Sequence, residues 1–289
     1  MAALTDKILV LAREGDEEVT GKVTVTNFKN SETKNDWSVD LSEGETVDCV
    51  AAGDGWVAAG SNKNYLRLFT AWGVQREILS VAGSIVSMVG SADKLFLVIH
   101  NSHPLPKQHY LSYYVIDVNF KKGLCNIVGP DSLPVSPDSE LFWIGISDTM
   151  LPVSTDSLGI VRMLYGRGWY VICDTKSQIK GKSDTFFVTC IDHKDYQIRG
   201  IKCRGSRYPQ TLPKPSPSSI PIELPFCITG ERGGYEQRLM QSLLLAPVLS
   251  NDPEAEASAK TTELQCYMKL FALACRYSLA CKLKRSMVL

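Results

Sequence analysis

Val47-Asp48-Cys49-Val50-Ala51-Ala52-Gly53-Asp54-Gly55-Trp56-Val57-Ala58-Ala59-Gly60-Ser61-Asn62-Lys63-Asn64-Tyr65-Leu66-Arg67-Leu68-Phe69 holds three short runs rich in β-branched, aromatic and small apolar residues, separated by turn formers. Runs of this length and composition predict strands. The pattern extends in both directions: Ile8 to Ala12, Val23 to Phe28, Leu95 to Ile99, Leu111 to Val118, Leu141 to Ile146, Ile160 to Leu164, Trp169 to Cys173 and Phe186 to Ile191 repeat it. No amphipathic helix separates the runs, which excludes a parallel α/β sheet and leaves a sandwich, a barrel or a propeller. The length of the strand-rich region favours the propeller. At roughly 40 to 45 residues per blade it supplies roughly five blades, although no Gly-His to Trp-Asp repeat recurs.

The pattern ends in a proline-rich stretch from Arg207 to Pro225, read as an extended, wrapping connection. Beyond it the apolar period becomes helical. Tyr235, Leu239, Leu243 and Leu244 share one helix face up to Pro247, and Asn251 to Ser258 reads as a polar loop. A second helix is expected from about Thr262, with Leu264, Met268, Phe271 and Cys275 on one stripe and Tyr267, Leu270 and Ala274 on an adjoining one. So wide an apolar arc exceeds what one contact with the strands requires, and it can serve a partner helix. The expected division is an all-β propeller portion, residues 1–228, and an α-helical appendage, residues 229–289.

Lys plus Arg number 31 and Asp plus Glu number 31, so no net field draws the chain to a phosphate backbone or an anionic membrane. Little direct DNA binding is expected. No apolar run approaches the length of about 18 residues that a membrane helix needs. Nine scattered cysteines fit reduced, half-buried small hydrophobes of a cytosolic or nuclear protein, and Met1 to Leu11 does not read as a signal peptide.

Candidate chemistry is sparse. Gly181-Lys182-Ser183 imitates the end of a phosphate loop, but Lys176 stands where such a loop needs its first glycine. Cys190, His193 and Cys203 lack a Cys-x-x-Cys pair, and read as core cysteines with a surface histidine. His100, His103 and His109 surround a proline-bearing loop without a nucleophile in elbow context. Asp156, Asp174 and Asp184 sit where turn formers do. Lys202, Arg204, Arg207 and Lys214 with Tyr208 form a local basic and aromatic cluster, read as a structural blade edge. No catalytic centre, metal or cofactor is expected.

Several segments carry a resemblance. Leu141-Phe142-Trp143-Ile144-Gly145-Ile146-Ser147, Asp156-Ser157-Leu158-Gly159-Ile160-Val161-Arg162-Met163-Leu164, Gly181-Lys182-Ser183-Asp184, and Cys203 through Pro215 followed by Leu224-Pro225-Phe226-Cys227 resemble the SepB domain of a eukaryotic replisome hub family. That family is known as acidic nucleoplasmic DNA-binding protein, or chromosome transmission fidelity factor four. Gly55-Trp56-Val57-Ala58-Ala59, Leu66-Arg67-Leu68-Phe69-Thr70 and Gly73-Val74-Gln75 are similar too, and the likeness spans roughly residues 45–275.

The resemblance implies a six-bladed propeller and a small helical bundle that trimerise in the nucleus. It implies a non-enzymatic scaffold in DNA replication, which docks short helices of the GINS complex and of the DNA polymerase alpha catalytic subunit on its terminal helices. The residues expected to dock them are Met268, Leu270, Phe271, Leu273 and Ala274. Family members carry more propeller sequence before the part resembling Lys7 to Ala12, so about one blade is expected to be missing and the propeller incomplete. The flanking WD-repeat propeller and HMG box are also expected to be absent, and Arg276 to Leu289 departs from the acidic, leucine-bearing helix of the family. A truncated or alternatively spliced product would explain both ends. The rival readings are a nonfunctional or regulatory fragment of such a hub and, from another class, a propeller-channel enzyme, which would need converging Asp, Glu and His residues.

Overall fold

The computed structural model describes residues 1–289 except 16–18, 29–35, 103–108, 180, 182, 194, 213, 227–229, 246–252 and 287–289, and gives the backbone alone at 245, 255 and 279–286. The fold is all-β, built of antiparallel propeller-type blades, with two helices at the end. It divides into two compact units, Met1–Ile146 with Pro152–Leu158, and Ser147–Leu151 with Gly159–Leu289.

In the first unit β1 (Ala2–Leu4), β2 (Ile8–Arg13), β3 (Lys22–Asn27) and β4 (Trp37–Asp40) form one sheet, and β5 (Val47–Gly53), β6 (Trp56–Ser61), β7 (Tyr65–Thr70) and β8 (Gln75–Ser80) the next. A third follows, from β9 (Ile85–Ser91), β10 (Lys94–His100), β11 (Leu111–Asp117) and β12 (Asn126–Leu133). Strands neighbouring in sequence are neighbours in each sheet, the up-and-down order of a propeller blade. The hairpin β13 (Leu141–Ile146) with β14 (Pro152–Asp156) completes this unit. The second unit holds the hairpin β15 (Ile160–Tyr165) with β16 (Gly168–Asp174), then a sheet of β17 (Thr185–Asp192), β18 (Gln197–Cys203) and β19 (Pro217–Pro221).

All six residues of β6 are buried, which is why its sequence runs apolar and small instead of alternating. Trp56 is 1 % exposed, and its indole N–H donates to the Ala92 carbonyl at 2.8 Å. Two glycines make room for the ring: a Cβ on Gly53 would lie 2.4 Å from it, and one on Gly90 would lie 2.6 Å away. Leu66 and Leu68 of β7 and Leu95, Leu97 and Ile99 of β10 close the same core. A second core joins Ile8, Val10, Val23 and Val25 to Val57, Ala59 and Phe69. A buried charge pair enters this region. The Arg67 guanidinium grips the fully buried Glu45 carboxylate with both arms, at 2.9 and 2.7 Å, and holds that carboxyl below its ordinary value of 4.5.

Two of the expected chain segments are corrected. The proline-rich connection contains a true strand, β19, in register with β18 from Pro217 opposite Ile201 to Pro221 opposite Gln197. The Ile222 N–H bonds inward to the Tyr196 carbonyl, so alternation turns positions 217, 219 and 221 outward, where proline forfeits no ladder bond. The expected loop from Asn251 to Ser258 is also corrected. After α1 (Gly230–Leu245), α2 begins at Pro253 and runs to Ser286. Proline suits the first helical turn, Glu254 and Glu256 complement the helix dipole, and Lys260 pairs with Glu256 at 2.6 Å, so residues that are polar in composition are helical in propensity.

Two outcomes are expected. Gly90→Ala pushes a methyl into the Trp56 ring and should cost about 1 to 3 kcal/mol, while Trp56→Ala should cost about 3 to 5 kcal/mol; urea unfolding measures both. Because the Glu45 pKa is depressed in the folded state, its stabilisation is complete above the unfolded value of 4.5 and is lost as the pH falls through the folded one. The urea midpoint should therefore fall less steeply as the pH is lowered through this range in a Glu45→Gln/Arg67→Met variant than in the parent.

Candidate peptide-docking site

α1 and α2 pack as a helical hairpin, with the Ser242 hydroxyl donating to the Ala259 carbonyl at 3.1 Å. Gln241 ties α1 to the sheet side of its unit by donating to the Ile222 carbonyl at 3.0 Å, and Leu244 packs near Met163, Ile172 and Leu224. Beneath that contact lies His193, fully buried. Its Nδ1 meets the Asp148 carboxylate at 2.9 Å and the Thr149 hydroxyl, and Nε2 faces the Met163 sulfur at 3.1 Å. Burial holds the ring below its ordinary pKa, against the pull of Asp148. The expectation of a surface histidine with core cysteines is thus corrected. His193 is interior because the turn from Ser147 to Leu151 supplies its polar partners, and Cys190 is exposed while Cys203 is buried.

On α2 the buried residues Ala259, Cys266 and Leu273 recur every seven positions, the signature of a helix–helix seam. At 3.6 residues per turn, Leu264, Met268, Phe271 and Cys275 gather roughly opposite that seam. Leu264 is 62 %, Met268 65 % and Phe271 73 % exposed, with Tyr267 beside them. A cleft of about 400 Å³ between the helices, lined in part by Tyr235, Arg238, Cys266 and Met268, adjoins this stripe.

The five residues expected to dock a peptide do not share one face. Met268, Phe271 and Ala274 are exposed, Leu270 is half-buried, and Leu273 belongs to the seam. Leu264 and Tyr267 complete the exposed face, and Tyr235 and Arg238 wall the cleft. Leu264 and Tyr267 were visible in the helical period, but the covered face, Ala259, Cys266 and Leu273, is neither of the two apolar stripes read from the sequence.

The other candidate groups take structural places. Asp156 is buried and accepts from the Ser136 amide and hydroxyl and from the Leu158 N–H. Asp174 accepts from the Lys176 and Ser177 amides, and Asp184 from the Gly205 N–H. These are turn contacts. Lys182 and His103 lie outside the described residues. His100 and His109 stack with ring centres 6.4 Å apart, and among the described residues no group of three or more His, Cys, Asp or Glu could hold a metal ion. Burial pushes the thiols of Cys49 and Cys173 up to about 11, far from thiolate nucleophiles. Among the described residues no helix is long and apolar enough to cross a membrane.

Comparison with known proteins agrees with this architecture. WD repeat and HMG-box DNA-binding protein 1 of Homo sapiens is 36 % identical over 288 residues, covering 96 % of this chain and 25 % of that protein. The Xenopus laevis protein of the same name is 33 % identical with the same coverage. Protein ENHANCER OF LHP1 1 of Arabidopsis thaliana is 29 % identical over 267 residues, covering 86 % of this chain and 27 % of that protein. The chain therefore spans about a quarter of the length of these relatives. Among solved structures, the crystal structure of HIRA(644-1017) superimposes with a TM-score of 0.52 at 12 % identity, covering 96 % of this chain and 80 % of that one, a likeness of fold. The family model for the minichromosome loss protein Mcl1 middle region matches residues 1–226, which contain every blade strand, and the chain belongs to that family.

Proposed function

We propose that the chain is a non-enzymatic scaffold of the replisome, which docks short amphipathic client helices on the exposed stripe of α2. The observation that carries this reading is the exposure of Leu264, Met268 and Phe271 on the face turned away from α1. Exposed large apolar side chains in line at helical spacing are what an incoming helix covers, by the same ridge-and-groove contact that joins two helices of a bundle. The family membership and the name of the vertebrate relatives, which includes DNA binding, support a place at DNA. The resemblance on Leu141 to Ser147 and Cys203 to Pro215 points to the GINS complex and the catalytic subunit of DNA polymerase alpha as clients, to a homotrimer, and to the nucleus. Three equivalent sites on one trimer would raise the local concentration of clients tethered at a fork.

Fluorescence anisotropy with a labelled amphipathic GINS peptide tests the reading. Ala274 is exposed, so Ala274→Glu should keep the helical circular dichroism signal yet weaken the peptide by at least about tenfold, since a desolvated charge in an apolar contact costs more than the roughly 1.4 kcal/mol which that factor represents. Leu273→Glu should instead open the helical hairpin, because its side chain lies in the seam. Asp195→Ala, in the turn between β17 and β18, should bind like the parent. Unchanged peptide affinity in a folded Ala274→Glu protein would place the client site elsewhere.

A further inference from the structure

We propose that the loop between β18 and β19 forms a second binding surface, independent of α2, for an acidic peptide. Between Tyr196 and Glu223 the chain carries five basic residues and no acidic one, although the whole protein has no net charge. Arg199 is spent on ion pairs with Asp192 and Asp195, and Arg207 lies over the Tyr208 ring, 5.7 Å from its centre. The remaining three, Lys202, Arg204 and Lys214, are exposed and line one cleft of about 510 Å³.

That cleft is held open by local structure. Gly205 adopts a φ of +61° and donates its N–H to Asp184, which turns the chain out of β18. The Ser206 hydroxyl closes the next turn on the Tyr208 carbonyl at 2.7 Å, and Tyr208 packs edge-on against Phe187 of β17. Pro215 and Pro217 also line the cleft, and their fixed φ lowers the ordering cost of binding. A concave site with three cations, the amide of Gln210 and no acid among its described lining residues fits the side-chain carboxylates of an extended peptide.

The same geometry disfavours nucleic acid. Among the described residues no aromatic ring lines the cleft, and the neighbouring Tyr208 already carries Arg207 on one face, which disfavours a stacking platform for single strands. Three cations neutralise too few phosphates to hold a duplex at physiological salt.

The test uses the full chain and a fluorescein-labelled octaglutamate peptide, read by anisotropy. Saturable binding is expected that weakens as salt rises from about 50 to about 200 mM. Lys202→Glu/Arg204→Glu/Lys214→Glu should weaken it by at least about tenfold, and the milder Lys202→Gln/Lys214→Gln should weaken it in the same direction if the triple variant folds poorly. Lys121→Glu/Lys122→Glu/Arg167→Glu, with the same change of net charge, should bind like the parent, and so should Ala274→Glu. Equal loss in the two triple variants would reduce the effect to net charge and overturn the proposal. So would the absence of octaglutamate binding at low salt, or tighter, cleft-dependent binding of a labelled oligothymidylate.

Discussion

The indole of Trp56 can lie between two sheets only if two residues beside it have no side chain. Gly53 and Gly90 meet that condition from different strands, and Ala92 adds the acceptor for the ring nitrogen. An aromatic ring of this size supplies much of the apolar area a core needs, and an unpartnered indole N–H in that core would cancel part of the gain. The register of β5 on β6 and of β9 on β10 is thereby fixed together, since a slip of one residue would set a Cβ against the ring. The leucines of β7 and β10 fill the volume that remains.

Many of the blade strands that bury one or both faces were legible, though the fully buried β14, with its polar Ser-Thr-Asp end, was not. Trp56 to Gly60, Leu95 to Ile99 and Leu111 to Val118 announce themselves through β-branched and aromatic content. Two of the strands passed over share another property. β12 has an interior Gly-Pro pair and is exposed over all but its last residue, and β19 is bracketed by prolines; both lie at sheet edges, where neither burial nor a complete ladder is demanded. Propensity rules tuned to central strands miss such segments.

The helical site was partly legible for a different reason. The period of α2 shows two apolar stripes, but the face that a neighbour covers is neither of them. Packing on α1 assigns Ala259, Cys266 and Leu273 to the interior and leaves Leu264, Met268 and Phe271 outside. Leu273 and Ala274, adjacent in sequence and equally plausible as contacts, end on different sides of that division. The cationic cleft was legible in composition alone; its walls depend on Gly205 and on the Tyr208 contact with Phe187, which join residues from two strands.

The prolines of β19 also govern what that edge of the sheet can do. Of the three outward positions, 217 and 221 lack an N–H, so Ser219 is the single outward donor along five residues of backbone. An approaching strand needs regularly spaced donors to dock in register. This rim is therefore covalently blunted against templated aggregation, a safeguard that changes of salt or pH leave intact, and recognition at this end of the sheet falls to side chains.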